Sequence, residues 1–122
     1  MTPEIEQKIK EKGLNAPRVT PADIANSIAA EYYFTANAPF GEDAHPSLSL
    51  LTFCVLVLHN GFTVTGESAC ASSENFNAEL GRQIAYKKAV EKIGLLLGYS
   101  LREKLHAESL GEAALQTTST NI

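Results

Sequence analysis

The sequence contains no tryptophan and only two cysteines, Cys54 and Cys70. Two cysteines are too few for a disulfide-rich scaffold or a four-cysteine zinc site. We therefore expect both thiols to be free, as in a reducing cytosol.

Long hydrophobic runs are also missing. No apolar stretch approaches the roughly 20 residues that span a bilayer, and the polar start from Met1 to Lys12 has no signal-peptide core. The densest apolar stretch, Leu48 to Leu58, has the length and the β-branched content of a buried strand. These features predict a cytosolic protein that does not enter a membrane.

Positive charge is in short supply, with 10 Lys and Arg against 14 Asp and Glu, a net charge of −4. Such a balance argues against binding to long nucleic acid or to an anionic membrane, because both partners attract basic proteins. The segment 82–104 nevertheless holds six basic and two acidic residues, a local charge of +4. This distribution suits a compact anionic ligand better than a long polyanion.

With 122 residues and 44% hydrophobic content, the chain is expected to form a single α+β domain with one core. Residues 1–34 are predicted to form N-terminal helices, a short one over 3–12 and a second that begins at Thr20 and Pro21 and ends near Tyr33. Residues 35–47 contain two prolines and a glycine among polar residues, which predicts a loop. Residues 48–110 are predicted to hold a hairpin followed by helices.

A β-hairpin is predicted near residues 50–69. Asn60 and Gly61 separate an apolar run from the alternating Phe62 to Thr65, and this pattern is typical of a two-residue type I′ turn, which places His59 opposite Phe62. In that register one apolar face is expected to lie under a helix; it comprises Leu51, Phe53, Val55, Val57, Phe62 and Val64. The other face is mixed and is expected to be only partly covered; it comprises Thr52, Cys54, Leu56, Leu58, Thr63 and Thr65.

A long helix is predicted over 77–97, with Asn77 as its N-cap and Gly98 as its stop. Ser100 and Glu103 have capping-box spacing, which predicts a short final helix over 101–110. The polar residues 111–122 are expected to form a disordered tail.

The long helix carries the candidate ligand-binding residues. At roughly 100° per residue, Arg82 and Tyr86 fall on the stripe of Ala85, Ala89 and Ile93, which is expected to face the core. A buried guanidinium needs an anion, so Arg82 is the leading candidate for a phosphate contact; alternatively it reaches solvent or pairs with a nearby glutamate.

Further candidates lie around Arg82. Phe76 and Tyr86 are aromatic side chains of the kind that stack on nucleotide bases, although either is equally consistent with a core residue. Lys88, Lys92 and Arg102 add positive charge for an anionic ligand, although basic residues on a solvated helix face are common.

Leu80 and Ile84 are apolar residues on the opposite, polar side of the same helix. They suggest a contact within an oligomer, or alternatively packing by the N-terminal helices.

Catalytic signals are absent from the sequence. Neither cysteine has the context of a known nucleophile, and no Gly-x-Ser-x-Gly or phosphate-loop pattern occurs. Glu42, Asp43 and His45 have metal-compatible side chains, but their spacing fixes no geometry. We therefore expect no enzymatic activity, no metal and no cofactor.

From Leu50 to Leu105 the chain resembles a family of small phage and prophage proteins named after gene products 49 and 66 of two tailed phages. The resemblance lies in three stretches of sequence: Asn60-Gly61-Phe62-Thr63-Val64-Thr65-Gly66-Glu67-Ser68-Ala69-Cys70, Asn75-Phe76-Asn77-Ala78-Glu79-Leu80-Gly81-Arg82 and Gly98-Tyr99-Ser100-Leu101-Arg102.

The hairpin followed by a helix is also similar to the first Thoeris anti-defence family, phage proteins that sequester cyclic ADP-ribose signals. That similarity implies a homo-oligomer, dimer or hexamer, in the host bacterial cytoplasm. It implies a small cyclic nucleotide ligand, including cyclic oligonucleotides for some related proteins. A phage accessory protein that binds a host protein, with no small ligand, is the alternative.

Overall fold

A computed structural model describes residues 3–120, with the side chains of residues 3–113. The elements run in the order α1 (Pro3–Glu11), α2 (Pro21–Ser27), β1 (Ile28–Thr35), β2 (Leu51–Leu58), β3 (Thr63–Ala69) and α3 (Ala78–Thr120). The predicted α+β class is confirmed. The segment predicted as a loop contains two 3₁₀ turns, Ala38–Asp43 and Pro46–Leu50.

The second helix begins as predicted but ends early. Thr20 Oγ1 accepts a hydrogen bond from the Asp23 N–H at 3.1 Å, and the Asp23 carboxylate accepts one from the Thr20 N–H at 2.9 Å, so the pair forms a capping box. The predicted end near Tyr33 is wrong, because the helix stops at Ser27 and β1 follows. Residues 28–35 are rich in β-branched and aromatic side chains, and pairing with β2 prevails over the apparent helical spacing.

The three strands form one antiparallel sheet in the order β1-β2-β3. Leu58 donates to the Phe62 carbonyl at 2.8 Å, so the turn has three residues, His59 to Gly61, instead of the predicted two. Within this turn only Gly61 takes positive φ, 88°, as in a three-residue loop with a left-handed last residue. This slip of one residue pairs Leu56 with Val64.

The predicted helix-facing side is wrong for β2, where Cys54, Leu56 and Leu58 are buried, and right for β3, where Val64 is buried. The buried core comprises Cys54, Leu56, Leu58, Val64, Ala85, Ala89 and Ile93. Gly66 lies on this face, and a Cβ there would stand 2.0 Å from the Ala85 carbonyl oxygen. A glycine in β3 and two alanines in α3 therefore let the two backbones approach closely, which fixes the face that the helix covers.

Helix α3 is a single element. Asn77 caps it as predicted, since its Oδ1 accepts a hydrogen bond from the Leu80 N–H at 3.0 Å. The predicted stop at Gly98 and the separate helix over 101–110 are wrong, because the helix continues through Thr120. It therefore includes most of the segment predicted as a tail, of which residues 121–122 lie outside the described part. At 1.5 Å per residue it is about 64 Å long, so much of it extends beyond the sheet.

Candidate functional site

An open cleft of about 460 Å³ lies between β1 and the first turns of α3. The volume falls within the range of small-molecule sites, about 300–1,000 Å³. Helix α3 packs on β3 and β2, so the inner face of the edge strand β1 is left beside the helix instead of beneath it. The residues that line the cleft are Glu31, Tyr33, Glu79, Arg82, Gln83 and Tyr86.

Strand β1 contributes Glu31 and Tyr33, which share a face because side chains alternate along a strand. The Tyr33 hydroxyl donates a hydrogen bond to Glu31 Oε1 at 2.8 Å. Burial raises the pKa of Tyr33 strongly, and the hydrogen bond to the Glu31 carboxylate adds to the increase. This phenol therefore stays protonated and donates to the carboxylate throughout the physiological pH range.

Helix α3 contributes its four residues from successive turns, with Glu79, Arg82 and Tyr86 spaced i, i+3 and i+7 along one flank. Tyr86 is half-buried, and burial raises the pKa of its phenol. Arg82 is exposed, so the prediction of a core-facing guanidinium is wrong. The core contacts of α3 are made by Ala85 and Ala89, and Arg82 lies at the edge of that stripe, beside the gap left by β1.

Arg82 also borders a second, smaller cavity of about 100 Å³ that includes Phe76. Within residues 3–113, Arg82 forms no hydrogen bond or ion pair with another side chain. The structure therefore brings together three of the predicted residues, with Tyr86 on one side of Arg82 and Phe76 on the other.

The other three predicted residues lie elsewhere. Lys88 is exposed and lines neither cavity at Arg82. Lys92 borders a separate surface cavity with Phe62 and Leu95. Arg102 is exposed 20 residues along the helix from Arg82, about 30 Å at 1.5 Å per residue. The basic segment is therefore spread along α3 and does not form one anion site.

The cleft combines one guanidinium, two carboxylates and two phenols. This set is unsuited to a ligand with many phosphates, because Glu31 and Glu79 would repel it. It is complementary to a ligand with one accessible phosphate for Arg82, a planar ring for the tyrosines, and hydroxyl or amino donors for the carboxylates.

Sequence reasoning missed four of the cleft residues, two on β1 and two on α3. Glu31 and Tyr33 lay in a segment predicted as helix, and Glu79 and Gln83 were not proposed as ligand contacts. The run Tyr32-Tyr33-Phe34-Thr35, with its high strand propensity, is the signal that would have placed a strand there.

Other kinds of site have less support. In the part of the chain with described side chains, no group of three histidine, cysteine or acidic residues is arranged to hold a metal ion. Cys54 is buried and Cys70 partly buried, both are free, and burial raises the pKa of the Cys54 thiol, which opposes reactivity. No helix among the described residues is long and apolar enough to span a membrane.

Comparison with known proteins gives one family. The model of the phage protein (N4 Gp49/phage Sf6 gene 66) family matches residues 19–105. The match includes every residue that lines the cleft, and it confirms the predicted resemblance to this phage family; the similarity to the first Thoeris anti-defence family stays a prediction. No curated protein and no solved structure matches the chain.

Proposed function

Because the chain belongs to the phage protein family of N4 Gp49 and phage Sf6 gene 66, we propose that it is an anti-defence protein that sequesters a cyclic nucleotide immune signal. The ligand is of the cyclic ADP-ribose type or a cyclic oligonucleotide. The protein acts as a homo-oligomer, a dimer or hexamer, in the host cytoplasm and releases the signal unchanged.

The observation that carries this proposal is the composition of the cleft. Arg82 has no partner among the described side chains and is available to a phosphate, with which it forms a charge-assisted hydrogen bond. Tyr33 and Tyr86 offer aromatic surface to a base, and Glu31 and Glu79 accept hydrogen bonds from ribose hydroxyls or an exocyclic amine. With a single cation in the cleft, cyclic ADP-ribose, which has two phosphates, fits better than a cyclic oligonucleotide with three.

A mixing and release experiment tests the proposal. The protein is incubated with a cyclic ADP-ribose isomer, separated from free ligand and denatured by heat, and the released compound is identified by mass spectrometry. Recovery of the intact isomer supports sequestration, whereas a hydrolysed product indicates an enzyme. If neither this ligand nor a cyclic oligonucleotide is retained, the proposed function is wrong.

A second candidate function is binding to a host protein, with no small ligand. The face of the sheet away from α3 favours it, because Tyr32 and Phe34 are 59% and 41% exposed there and Phe34 stacks on Phe53 at a ring distance of 5.4 Å. Exposed apolar patches of this kind mark interaction surfaces. Of the face predicted from the sequence as mixed, Cys54, Leu56 and Leu58 are instead buried in the core, whereas its β3 residues, Thr63 and Thr65, are exposed.

A further inference from the structure

The outer edge of β3 carries unpaired backbone groups. Just past the end of this strand, Cys70 donates to the Leu50 carbonyl at 3.0 Å. Since backbone groups alternate in direction along a strand, the even residues of β3 bond to β2, and the N–H and C=O groups of Thr63, Thr65 and Glu67 point away from it. Within the described residues, β3 pairs with no strand but β2. Strand β3 also has no proline, lysine or bulge of the kind that blocks an edge.

A groove runs along this edge, between β3 and one flank of α3. Beside the start of β3 it widens into a cavity of about 420 Å³, whose lining includes Phe62, Lys92 and Leu96. Beside the end of β3 it holds a second cavity of about 130 Å³, whose lining includes Leu80 and Ile84. The four apolar side chains are all exposed. The groove is therefore open to a partner along the whole strand.

The flank of α3 that borders the groove presents one residue per turn. The row consists of Leu80, Ile84, Lys88, Lys92 and Leu96, at i, i+4 spacing, so its members follow each other every 6 Å or so along the helix. Side chains on one face of a strand repeat about every 6.8 Å. A strand added at the edge of β3 would therefore set successive side chains of one face against successive residues of this row.

The charge of the row identifies the partner. Lys88 and Lys92 are exposed, and neither forms an ion pair with a described side chain. Apolar residues precede and follow them in the row. Glu67, the acidic residue of β3, lies on the opposite face of the sheet, because side chains alternate along the strand and Val64 and Gly66 face α3. The groove is thus basic at its centre and apolar at both ends.

We propose that the edge of β3 binds an extended acidic segment of a partner protein by strand addition. Backbone hydrogen bonds to β3 supply affinity, and the row on α3 supplies specificity. In the antiparallel direction, which is the more stable pairing, the segment carries two apolar residues, two acidic residues and one apolar residue at alternate positions. This surface is separate from the nucleotide cleft, which lies between β1 and the other flank of α3.

A labelled synthetic peptide tests the proposal by fluorescence anisotropy. The probe has valine, valine, glutamate, glutamate and valine in that order at alternate positions, with threonine between them. The control peptide has glutamine in place of both glutamates. The probe should bind about fivefold or more tightly than the control at low salt, as two exposed ion pairs allow, and the difference should shrink as salt is added.

Lysine variants test the row. Replacing both Lys88→Gln and Lys92→Gln should abolish the preference for the probe over the control peptide. The matched control is Lys87→Gln, because Lys87 is equally a lysine of α3 but borders a different cavity, next to α2. That variant should keep the preference. Neither change touches the cleft at Arg82, so the outcome is independent of the proposed nucleotide function.

A backbone variant tests the edge itself. Thr65→Pro removes an outward N–H that no ladder within the chain uses, and should abolish binding of the probe while circular dichroism keeps the folded signal. Thr65→Val retains that N–H and should bind the probe. The lysine variants decide the matter if Thr65→Pro does not fold.

Four results would overturn the inference. The first is that the probe does not bind, or binds no better than the control peptide. The second is that the double-lysine variant still prefers the probe. The third is that folded Thr65→Pro still binds it. The fourth is that the protein alone associates in sedimentation velocity and Thr65→Pro makes it monomeric, in which case a second copy occupies the edge.

Discussion

Replacing Gly66 with alanine tests the close approach of β3 and α3 on which the position of the cleft depends. A Cβ at residue 66 would stand 2.0 Å from the Ala85 carbonyl oxygen and 2.6 Å from the Ala89 nitrogen. Both neighbours are backbone atoms of α3, so no side-chain rotation relieves the clash. The helix has to move away from the sheet by more than an ångström.

The magnitude follows from overpacking in a well-packed core, which typically costs about 1–3 kcal/mol. Because rigid backbone has to shift, we expect the upper end, about 3 kcal/mol in the free energy of unfolding. A domain of this size has about 5–15 kcal/mol in total, so the loss is a large fraction. It corresponds to a fall of about 10 °C in Tm.

The same substitution at Gly98 is the control. Gly98 lies inside α3, and a Cβ there meets nothing within 4 Å. Alanine should therefore raise the stability by about 0.5–1 kcal/mol through helix propensity. Urea unfolding followed by circular dichroism compares the two variants. If Gly66→Ala stays within about 0.5 kcal/mol of the unsubstituted chain, the close packing of β3 on α3 is wrong.

Three further predictions concern the cleft and its chemistry. In calorimetry, Arg82→Ala should weaken ligand binding by about 1.5–3 kcal/mol, and Arg82→Lys should restore part of the affinity. Lys92→Ala, outside the cleft, should leave the affinity unchanged. A loss of affinity in Lys92→Ala equal to that in Arg82→Ala would contradict the site. Tyr86→Leu keeps an apolar side chain but removes the ring, and should weaken nucleotide binding by about 1–3 kcal/mol; unchanged affinity would show that no base stacks there. Burial and the hydrogen bond to Glu31 raise the pKa of Tyr33, so its contribution to stability is complete below the unfolded pKa of about 10 and declines as the pH rises above that value. Tyr33→Phe should therefore reduce the loss of unfolding free energy between about pH 9 and pH 11. An identical decline in both proteins would contradict the assignment.

The elements with strong local signals were predictable from the sequence alone. The helix start at Thr20, the cap at Asn77 and the apolar run of β2 each depend on interactions within a few residues, so the sequence alone predicts them correctly. The α+β class followed from these elements together. The buried stripe of Ala85, Ala89 and Ile93 followed from helical periodicity.

Tertiary structure decided the identity of β1. Residues 28–35 satisfy helical spacing and strand propensity at once, and only hydrogen bonding to β2 resolves the two. With the strand unrecognised, neither Glu31 nor Tyr33 was available as a site residue. Two of the six residues that line the cleft therefore depended on a pairing between segments that lie about twenty residues apart in the chain.

Tertiary structure also decided which face of the hairpin is buried and what Arg82 does. Turn residues favour a hairpin, but the choice between a two-residue and a three-residue loop shifts every pair by one position. The face was then fixed by the fit of Gly66 against the backbone of α3, a contact that no local pattern encodes. Periodicity placed Arg82 on the core-facing stripe. Only the packing of α3 over β2 and β3, with β1 left uncovered, leaves Arg82 exposed beside an open cleft.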